Sequence, residues 1–325
     1  PHRDRCRRRL LRRVYVAHTR GHGPSHRNPS VRHRPPDSGA GFVSTTQDLR
    51  GPEPFYADER YTLYCGDAQD VLPTLGERVD MTVFSPPYNV EIDYEDHDDG
   101  MSWGAYGALA VNVCGLIRDV QPHGRTWVNV TPIVPTKSLP AGDHSGRGSN
   151  PRTSLLRTWD QALGLTGHQV WDYVAWATPG RGPGCAWGSW ESPAGPNMRG
   201  EWETVIAAHT GPSWSRETPT EHKGWKDKEG GWIDLTTNVW RIQPQRRDAE
   251  AGDHPAPFPP ELAMRCIRLS TWPGETVLDL FAGSGSSILA ACSLGRRAIG
   301  IEMSERYCEQ IVKRMAQGSL FEVPS

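Results

Sequence analysis

Short apolar runs and helical periodicity alternate most regularly in the last third of the chain. The apolar runs predict strands at 275–281 and 297–302, and the three- and four-residue spacing of apolar positions predicts helices at about 260–271, 286–294 and 304–316. The first of these helices opens with proline, where a missing N–H costs little. A strand, a turn, a helix and a second strand in this order form a βαβ unit, which indicates a parallel sheet.

The same kind of pattern continues, less regularly, through the preceding part of the chain. Apolar runs there predict strands at 61–65, 79–84, 125–130, 169–176 and 203–208, and amphipathic spacing predicts helices at about 104–119 and 152–163. The expected fold class is therefore α/β.

Residues 1–50 lack sustained apolar periodicity and are rich in Arg, His, Pro, Gly and Ser, which predicts a basic, disordered extension before a folded domain at 51–325. Residues 1–36 carry eleven Arg and one acid, so the remainder has a net charge of −12 although the whole chain has −2. An acidic body of this kind needs a local basic patch to bind nucleic acid. The Lys and Arg of 216–247 are the candidates for it.

The cysteines and the hydropathy of the chain bear on its redox compartment, on metal binding and on membrane insertion. The seven cysteines form no C-x-x-C pair, which predicts buried thiols in a reducing cytoplasm and no metal site. No run of 18 or more apolar residues occurs, so we expect no membrane span.

The predicted strand at 79–84 leads into Ser85, Pro86, Pro87 and Tyr88. Two consecutive prolines cannot donate backbone hydrogen bonds, so they end the strand in a stiff turn whose carbonyls are expected to be unpaired acceptors. Ser85 adds a side-chain acceptor and Tyr88 adds a flat aromatic face. Such a cluster suits a planar ring that carries an exocyclic amino group; the alternative is a plain turn with a core tyrosine.

A second candidate site follows the predicted strand at 275–281. Gly283 and Gly285 permit a sharp turn that opens a helix, and Glu302 closes the next strand, where an acid can accept both hydroxyls of a ribose. This context favours an adenosine-type cofactor over a glycine turn used only for packing. NAD is disfavoured because Ile288 stands where the third glycine of G-x-G-x-x-G would be.

These motifs, in this order, resemble the S-adenosylmethionine-dependent DNA methyltransferases that act on exocyclic amino groups. Because Ser-Pro-Pro-Tyr precedes the cofactor turn, the resemblance is to the circularly permuted β class, and it covers about residues 58–316. It implies a doubly wound, mostly parallel, Rossmann-like sheet and a variable target-recognition insertion at about 180–250. It also implies double-stranded DNA as substrate, with a cognate restriction endonuclease as a possible partner and either a monomer or a homodimer as the assembly.

The resemblance also implies roles for individual residues. The catalytic residues are Ser85, Pro86, Pro87 and Tyr88. The cofactor residues are Asp67 near the adenine, Glu302 at the ribose, Asp279, Phe281, Gly283 and Gly285 beside the methionine part, and His254, Pro255 and Phe258 in the segment that closes over it.

The resemblance also bears on which atom of the DNA base receives the methyl group. In the family, Ser-Pro-Pro-Tyr accompanies mostly N4 of cytosine and Asp-Pro-Pro-Tyr accompanies mostly N6 of adenine, so cytosine N4 is favoured and adenine N6 is the alternative. Methylation at cytosine carbon 5 is disfavoured, since it needs a cysteine nucleophile that typically follows proline and the chain has no Pro-Cys. Two further alternatives are a methyltransferase for RNA, protein or a small molecule and a non-catalytic relative that binds nucleic acid.

Overall fold

A computed structural model describes residues 53–90, 100–135, 152–178, 200–244 and 259–317, together with Pro193. The predicted extension at 1–50 lies outside the described residues. Among the helices of the described residues, none is both long and apolar enough to cross a membrane.

The strands of the described residues are β1 (Tyr56–Ala57), β2 (Tyr61–Cys65), β3 (Met81–Phe84), β4 (Arg125–Val130), β5 (Val134–Pro135), β6 (Arg152–Thr153), β7 (Gln169–Ala177), β8 (Trp202–His209), β9 (Val239–Arg241), β10 (Thr276–Asp279) and β11 (Arg297–Glu302). The α-helices are α1 (Ala68–Val71), α2 (Trp103–Val120), α3 (Leu155–Leu165), α4 (Trp232–Leu235), α5 (Pro260–Ser270), α6 (Ser286–Ser293) and α7 (Glu305–Ala316). Each strand predicted from an apolar run is present, with its ends within two residues of those expected. The helix expected from residue 152 begins later, because the Ser154 hydroxyl caps it by accepting from the Arg157 N–H.

The main sheet has the strand order β1-β2-β11-β10-β3-β4-β8-β7-β9. Neighbouring strands from β2 to β4 all run parallel, whereas β8 is antiparallel to both β4 and β7. Strands β5 and β6 form a separate antiparallel pair. The predicted α/β class and the mostly parallel sheet are confirmed.

Helices cover both faces of this sheet, and neighbouring residues of a strand serve opposite faces. Val277 packs in a core cluster with α5, α6 and α7, while Leu278 packs in a second cluster with α1, α2 and α3. Ala298 and Ile299 divide between the two clusters in the same way. The sheet is therefore doubly wound, as the resemblance implied.

The connections reverse direction between two adjacent strands. The chain leaves β10 through α6 to β11 on one side, and it leaves β3 through α2 to β4 on the other. Crevices at such a switch point, at the carboxyl ends of the strands, are where open α/β sheets bind ligands. Ser85 to Tyr88 follow β3, and the turn that contains Gly283 and Gly285, called the glycine turn below, follows β10. Both candidate motifs therefore lie at the switch point.

The described part of the expected target-recognition range, 200–244, divides into three pieces. Strand β8 belongs to the main sheet and is antiparallel to β4. It therefore carries the chain to the edge of the sheet where the parallel strands begin, the amino edge, and there His209 pairs with Arg125, the first residue of β4. The segment 210–230 lies there, and α4 and β9 follow it, with β9 pairing the last residues of β7. Residues 200–244 are thus not one continuous insertion, because β8 and β9 are strands of the main sheet.

The segment at 210–230 is bound to the amino edge by arginine side chains. Arg125 donates to the Trp214 carbonyl at 2.9 Å, and Arg216 donates to the Ser270 carbonyl at 2.9 Å and pairs with Glu275. Arg216 was expected among the candidates for a DNA-binding patch. Its guanidinium instead holds the fold together at the edge opposite the switch point.

Candidate active site

The turn after β10 requires glycine for two separate reasons. Gly283 and Gly285 have φ angles of +52° and +76°, in the left-handed region that side chains rarely adopt. A Cβ on Gly285 would also lie 3.0 Å from Cγ1 of Ile311 in α7. The turn can therefore bring its backbone close to a ligand while α7 packs directly behind it.

Asp279 lies beneath this turn rather than on its surface. Its side chain is buried and accepts hydrogen bonds from the Phe281 N–H at 3.0 Å and from the Ser287 hydroxyl. Burial raises the pKa of Asp279 to about 7, although the bonds from Ser287 and Phe281 act in the opposite direction. The structure thus gives Asp279 a role in shaping the turn.

Glu302 ends β11 with its carboxylate held by backbone donors. It accepts from the Gly283 N–H at 2.7 Å and from the Ser304 N–H at 3.0 Å, while its main-chain oxygen accepts from Gly66 at 2.9 Å. These bonds orient the carboxylate at the end of β11, and carboxylate oxygens are the kind of acceptor that the hydroxyls of a ribose require.

Asp67 follows β2, on the far side of β11 from the glycine turn. Its carboxylate caps α1 by accepting from the Gln69 N–H at 2.8 Å. The turn, Glu302 and Asp67 thus follow three neighbouring strands at one edge of the sheet. Since strands lie about 4.8 Å apart, the row spans about 10 Å, which suits an extended nucleoside. The remaining predicted cofactor residues, His254, Pro255 and Phe258, lie outside the described residues.

The Ser-Pro-Pro-Tyr segment begins where β3 ends. The Pro87 carbonyl accepts from the Tyr106 hydroxyl at 2.7 Å, and the Trp159 indole donates to that hydroxyl at 3.0 Å. The expectation that the carbonyls of this turn are unpaired is therefore wrong for Pro87. This bond ties the turn to α2 and α3 and fixes the position of the segment.

Two residues that the sequence analysis did not single out complete this cluster. Asn129 of β4 donates through Nδ2 to the Glu203 carboxylate at 2.9 Å, and the Tyr88 hydroxyl donates to the same oxygen, Oε2, at 2.9 Å. The Ser85 hydroxyl lies 3.3 Å from the Asn129 main-chain oxygen and 3.4 Å from the Tyr88 hydroxyl. Burial, followed by the nearby Glu203 carboxylate, raises the pKa of Tyr88 well above its usual value. Four polar side chains therefore form one network at the carboxyl end of β3.

Aromatic contact joins the two candidate motifs. The rings of Phe84, which precedes Ser85, and Phe281, which lies in the glycine turn, have centroids 5.7 Å apart. The Ser-Pro-Pro-Tyr segment and the glycine turn thus face one crevice.

The comparison with protein families decides between the candidate classes. The family model for DNA methylases of the N6 and N4 type matches residues 79–313, which include both motifs. The chain belongs to the DNA methylase family. It is accordingly an S-adenosylmethionine-dependent DNA methyltransferase that acts on amino groups, and the predicted family and cofactor are confirmed. The glycine turn, Glu302 and Asp67 fit that cofactor in the order methionine part, ribose and adenine.

Relatives of this methylase match it over most of their length. The type II methyltransferase M.ScaI of Streptomyces caespitosus is 27% identical over 278 residues, covering 81% of this chain and 84% of the relative. M.BglI of Bacillus subtilis is 24% identical over 294 residues, with 75% and 82% covered.

Solved structures share the fold. The PvuII DNA methyltransferase (cytosine-N4-specific) is 19% identical, with a TM-score of 0.62, and the match covers 85% of this methylase and 92% of that chain. A putative DNA modification methylase from Thermus thermophilus, complexed with S-adenosyl-L-methionine, is 24% identical with a TM-score of 0.59, covering 78% and 93%.

Proposed function

We propose that this chain methylates the exocyclic N4 of cytosine in double-stranded DNA. The observation that carries the proposal is the position of Ser85 to Tyr88 directly beside the glycine turn, joined by the contact between Phe84 and Phe281. Serine at the head of the segment favours cytosine over adenine. One of the solved structures with this fold is named cytosine-N4-specific, which agrees with that choice.

The amino group of cytosine is a poor nucleophile, because its lone pair is delocalised into the ring. Acceptors on its hydrogens, which we assign to Ser85 Oγ and the Pro86 carbonyl, draw the nitrogen toward sp³ geometry and hold it in line for transfer. Acceptors within the cluster, the Asn129 main-chain carbonyl and the Tyr88 hydroxyl, lie within reach of the Ser85 hydroxyl hydrogen, so a lone pair of Ser85 can face the amine while Asn129 Nδ2 lies 3.5 Å from the same oxygen. Bound S-adenosylmethionine supplies an electrophilic methyl group on its sulfonium.

The cytosine must leave the duplex to reach this crevice, and Tyr88 offers its ring as a stacking surface for the extruded base. Asp67, Glu302 and the glycine turn hold the cofactor so that its methionine part lies toward Ser85, while His254, Pro255 and Phe258 are proposed to close over it. No covalent intermediate is needed, since the nitrogen attacks the methyl carbon directly and the bond from that carbon to sulfur breaks, with its electron pair leaving on the sulfur of S-adenosylhomocysteine. The product ammonium then loses its proton readily.

Product analysis tests the proposal. Unmethylated bacterial DNA is incubated with the protein and S-adenosylmethionine, digested to nucleosides and examined by mass spectrometry, with the Ser85→Ala variant as a parallel sample. We expect N4-methylcytosine, and much less of it from the variant. N6-methyladenine as the sole product would establish the alternative target, whereas no modified base at all would contradict the proposal.

A further inference from the structure

We infer that Glu203 is a positioning residue for methyl transfer and acts through Tyr88 and Asn129. The inference rests on the proposed function, because it concerns the alignment of the same target amine. Glu203 lies near the beginning of β8, and only the antiparallel run of this strand places it at the carboxyl end of β4.

The geometry of the carboxylate is unusual for a residue that merely fills space. A single oxygen, Oε2, accepts from both the Tyr88 hydroxyl and the Asn129 amide at 2.9 Å. Two donors that converge on one atom are fixed relative to each other. The side chain is also buried, with 8% of its surface exposed, and bonds to a charged acceptor in such surroundings are strong.

An ionised carboxylate only accepts hydrogen bonds, so it determines which way its neighbours point. The Asn129 amide must turn Nδ2 toward Glu203, and its Oδ1 is then left buried and without a hydrogen-bond partner in the described structure. The Tyr88 hydroxyl must likewise donate its hydrogen to Glu203, which leaves its oxygen as an acceptor beside Ser85.

The consequence falls on Ser85. The Asn129 Nδ2 group, held by Glu203, also donates to the Tyr88 hydroxyl oxygen at 3.2 Å. With the Tyr88 hydrogen directed at Glu203, the cluster presents the Ser85 hydroxyl with acceptors at 3.3 and 3.4 Å. The hydrogen of Ser85 is drawn inward. Its oxygen accepts from Asn129 Nδ2 at the long distance of 3.5 Å and keeps a second lone pair for the target amine. Glu203 touches neither the base nor the cofactor in this scheme, and its effect is to orient the residues that do.

The test compares Glu203→Met, which keeps the length of the side chain but removes both acceptors, with Glu203→Gln, whose remaining oxygen can still accept from both donors. Single-turnover transfer of a labelled methyl group to unmethylated bacterial DNA is measured, together with S-adenosylmethionine affinity by calorimetry. We expect Glu203→Met to slow transfer by about 10- to 100-fold with little change in cofactor affinity, and Glu203→Gln to recover most of the rate.

A double-mutant cycle with Tyr88→Phe separates positioning from general damage. Because Glu203 acts through the Tyr88 hydroxyl, Glu203→Met should slow transfer much less in the Tyr88→Phe background than in wild type. Independent, multiplicative effects would overturn the inference, as would a wild-type rate for Glu203→Met. If Glu203→Met does not fold, the Tyr88→Phe variant alone is measured, because it keeps the ring and removes the hydroxyl that Glu203 orients. A wild-type rate of methyl transfer for Tyr88→Phe would again overturn the inference.

The result for the unaltered protein separates the two proposals. Active wild-type protein with unaffected variants contradicts only the role of Glu203. Wild-type protein that modifies no DNA base contradicts the proposed function, and the role of Glu203 falls with it.

Discussion

Phe84 and Phe281 lie at the carboxyl ends of two neighbouring strands of the sheet, and their ring planes are inclined by 48° with centroids 5.7 Å apart. Phe84 is buried and immediately precedes Ser85, whereas Phe281 is partly exposed within the glycine turn. This pair is a side-chain contact between the Ser-Pro-Pro-Tyr segment, which we propose holds the base, and the glycine turn, which we propose holds the cofactor. Under the proposed function, this contact helps to set the separation between the amine and the methyl group.

Truncation of the Phe281 side chain should leave the distance between the target amine and the methyl group less well fixed. We expect Phe281→Ala to slow methyl transfer by about 10-fold or more, since small displacements of reacting groups cost rate steeply. Phe281→Leu retains most of the contact and should lie close to wild type. Single-turnover transfer measures the effect, and equal rates for both variants would show that the ring contact does not control the alignment.

Gly285 should tolerate a methyl group less well than another left-handed glycine. Gly285→Ala suffers both a positive φ of +76° and a close approach to Ile311, whereas Gly295→Ala has a φ of +70° and nothing within 4 Å of the added Cβ. The left-handed backbone costs each variant about 1–2 kcal/mol, and crowding adds about 1–3 kcal/mol at residue 285.

Chemical denaturation of both glycine variants checks this difference in the free energy of unfolding. Cofactor affinity should fall only for Gly285→Ala, because only that turn lies in the crevice. Equal destabilisation would mean that α7 moves aside without cost.

The buried Asp279 should make stability depend on pH. Its pKa is raised from 3.8 to about 7, so between these values the folded protein binds more protons than the unfolded chain. Stability from this group is therefore present at low pH and is lost as pH rises toward 7.

Asp279→Asn should remove that slope, since its amide can accept from Phe281 and donate to Ser287. Unfolding free energies measured from pH 5 to 8 should fall with pH more steeply for wild type than for the variant. Parallel curves would mean that Asp279 is ionised throughout the range.

Arg216 should matter for stability and not for DNA binding. Its guanidinium pairs with Glu275 and lies 4.7 Å from the Trp272 ring centroid, at the edge opposite Ser85. Arg216→Ala should lower the free energy of unfolding by about 3 kcal/mol, because it leaves a largely buried carboxylate unpaired. Exposed Lys223 is the control, and Lys223→Ala should change stability by less than about 0.5 kcal/mol.

Fluorescence anisotropy with duplex DNA tests the second half of that prediction. Affinity should be the same for Arg216→Ala and wild type at a temperature where both are folded. A marked loss of affinity would place DNA at the amino edge.

The sequence predicted those parts of the fold that depend on local pattern. The glycine turn, its flanking strands and Glu302 follow one another within a single βαβ unit, so their proximity could be inferred from spacing alone. Ser85 and Tyr88 were recognisable because Pro86 and Pro87 are unusual at the end of an apolar strand.

Asn129 and Glu203 escaped notice because their role depends on pairing between strands far apart in sequence. Each is a polar residue near one terminus of an apolar strand, Asn129 near the end of β4 and Glu203 near the beginning of β8, and this is the only local signal they give. The antiparallel register of β4 with β8, in which Val130 pairs with Thr204, is what brings them together. The same reversal carries Arg216 away from the crevice, and composition could not reveal that.

Strand β2 lies against β11 along its whole length, with Cys65 opposite Glu302. One of these strands is translated before the base-holding segment and the other long after it. In a nascent chain β3 and β4 therefore emerge while the place proposed for adenine and ribose is still incomplete. A prematurely terminated product that ends before residue 297 would hold Ser85 and Tyr88 but lack Glu302, the acid proposed to bind the ribose, so we expect it to capture no cofactor.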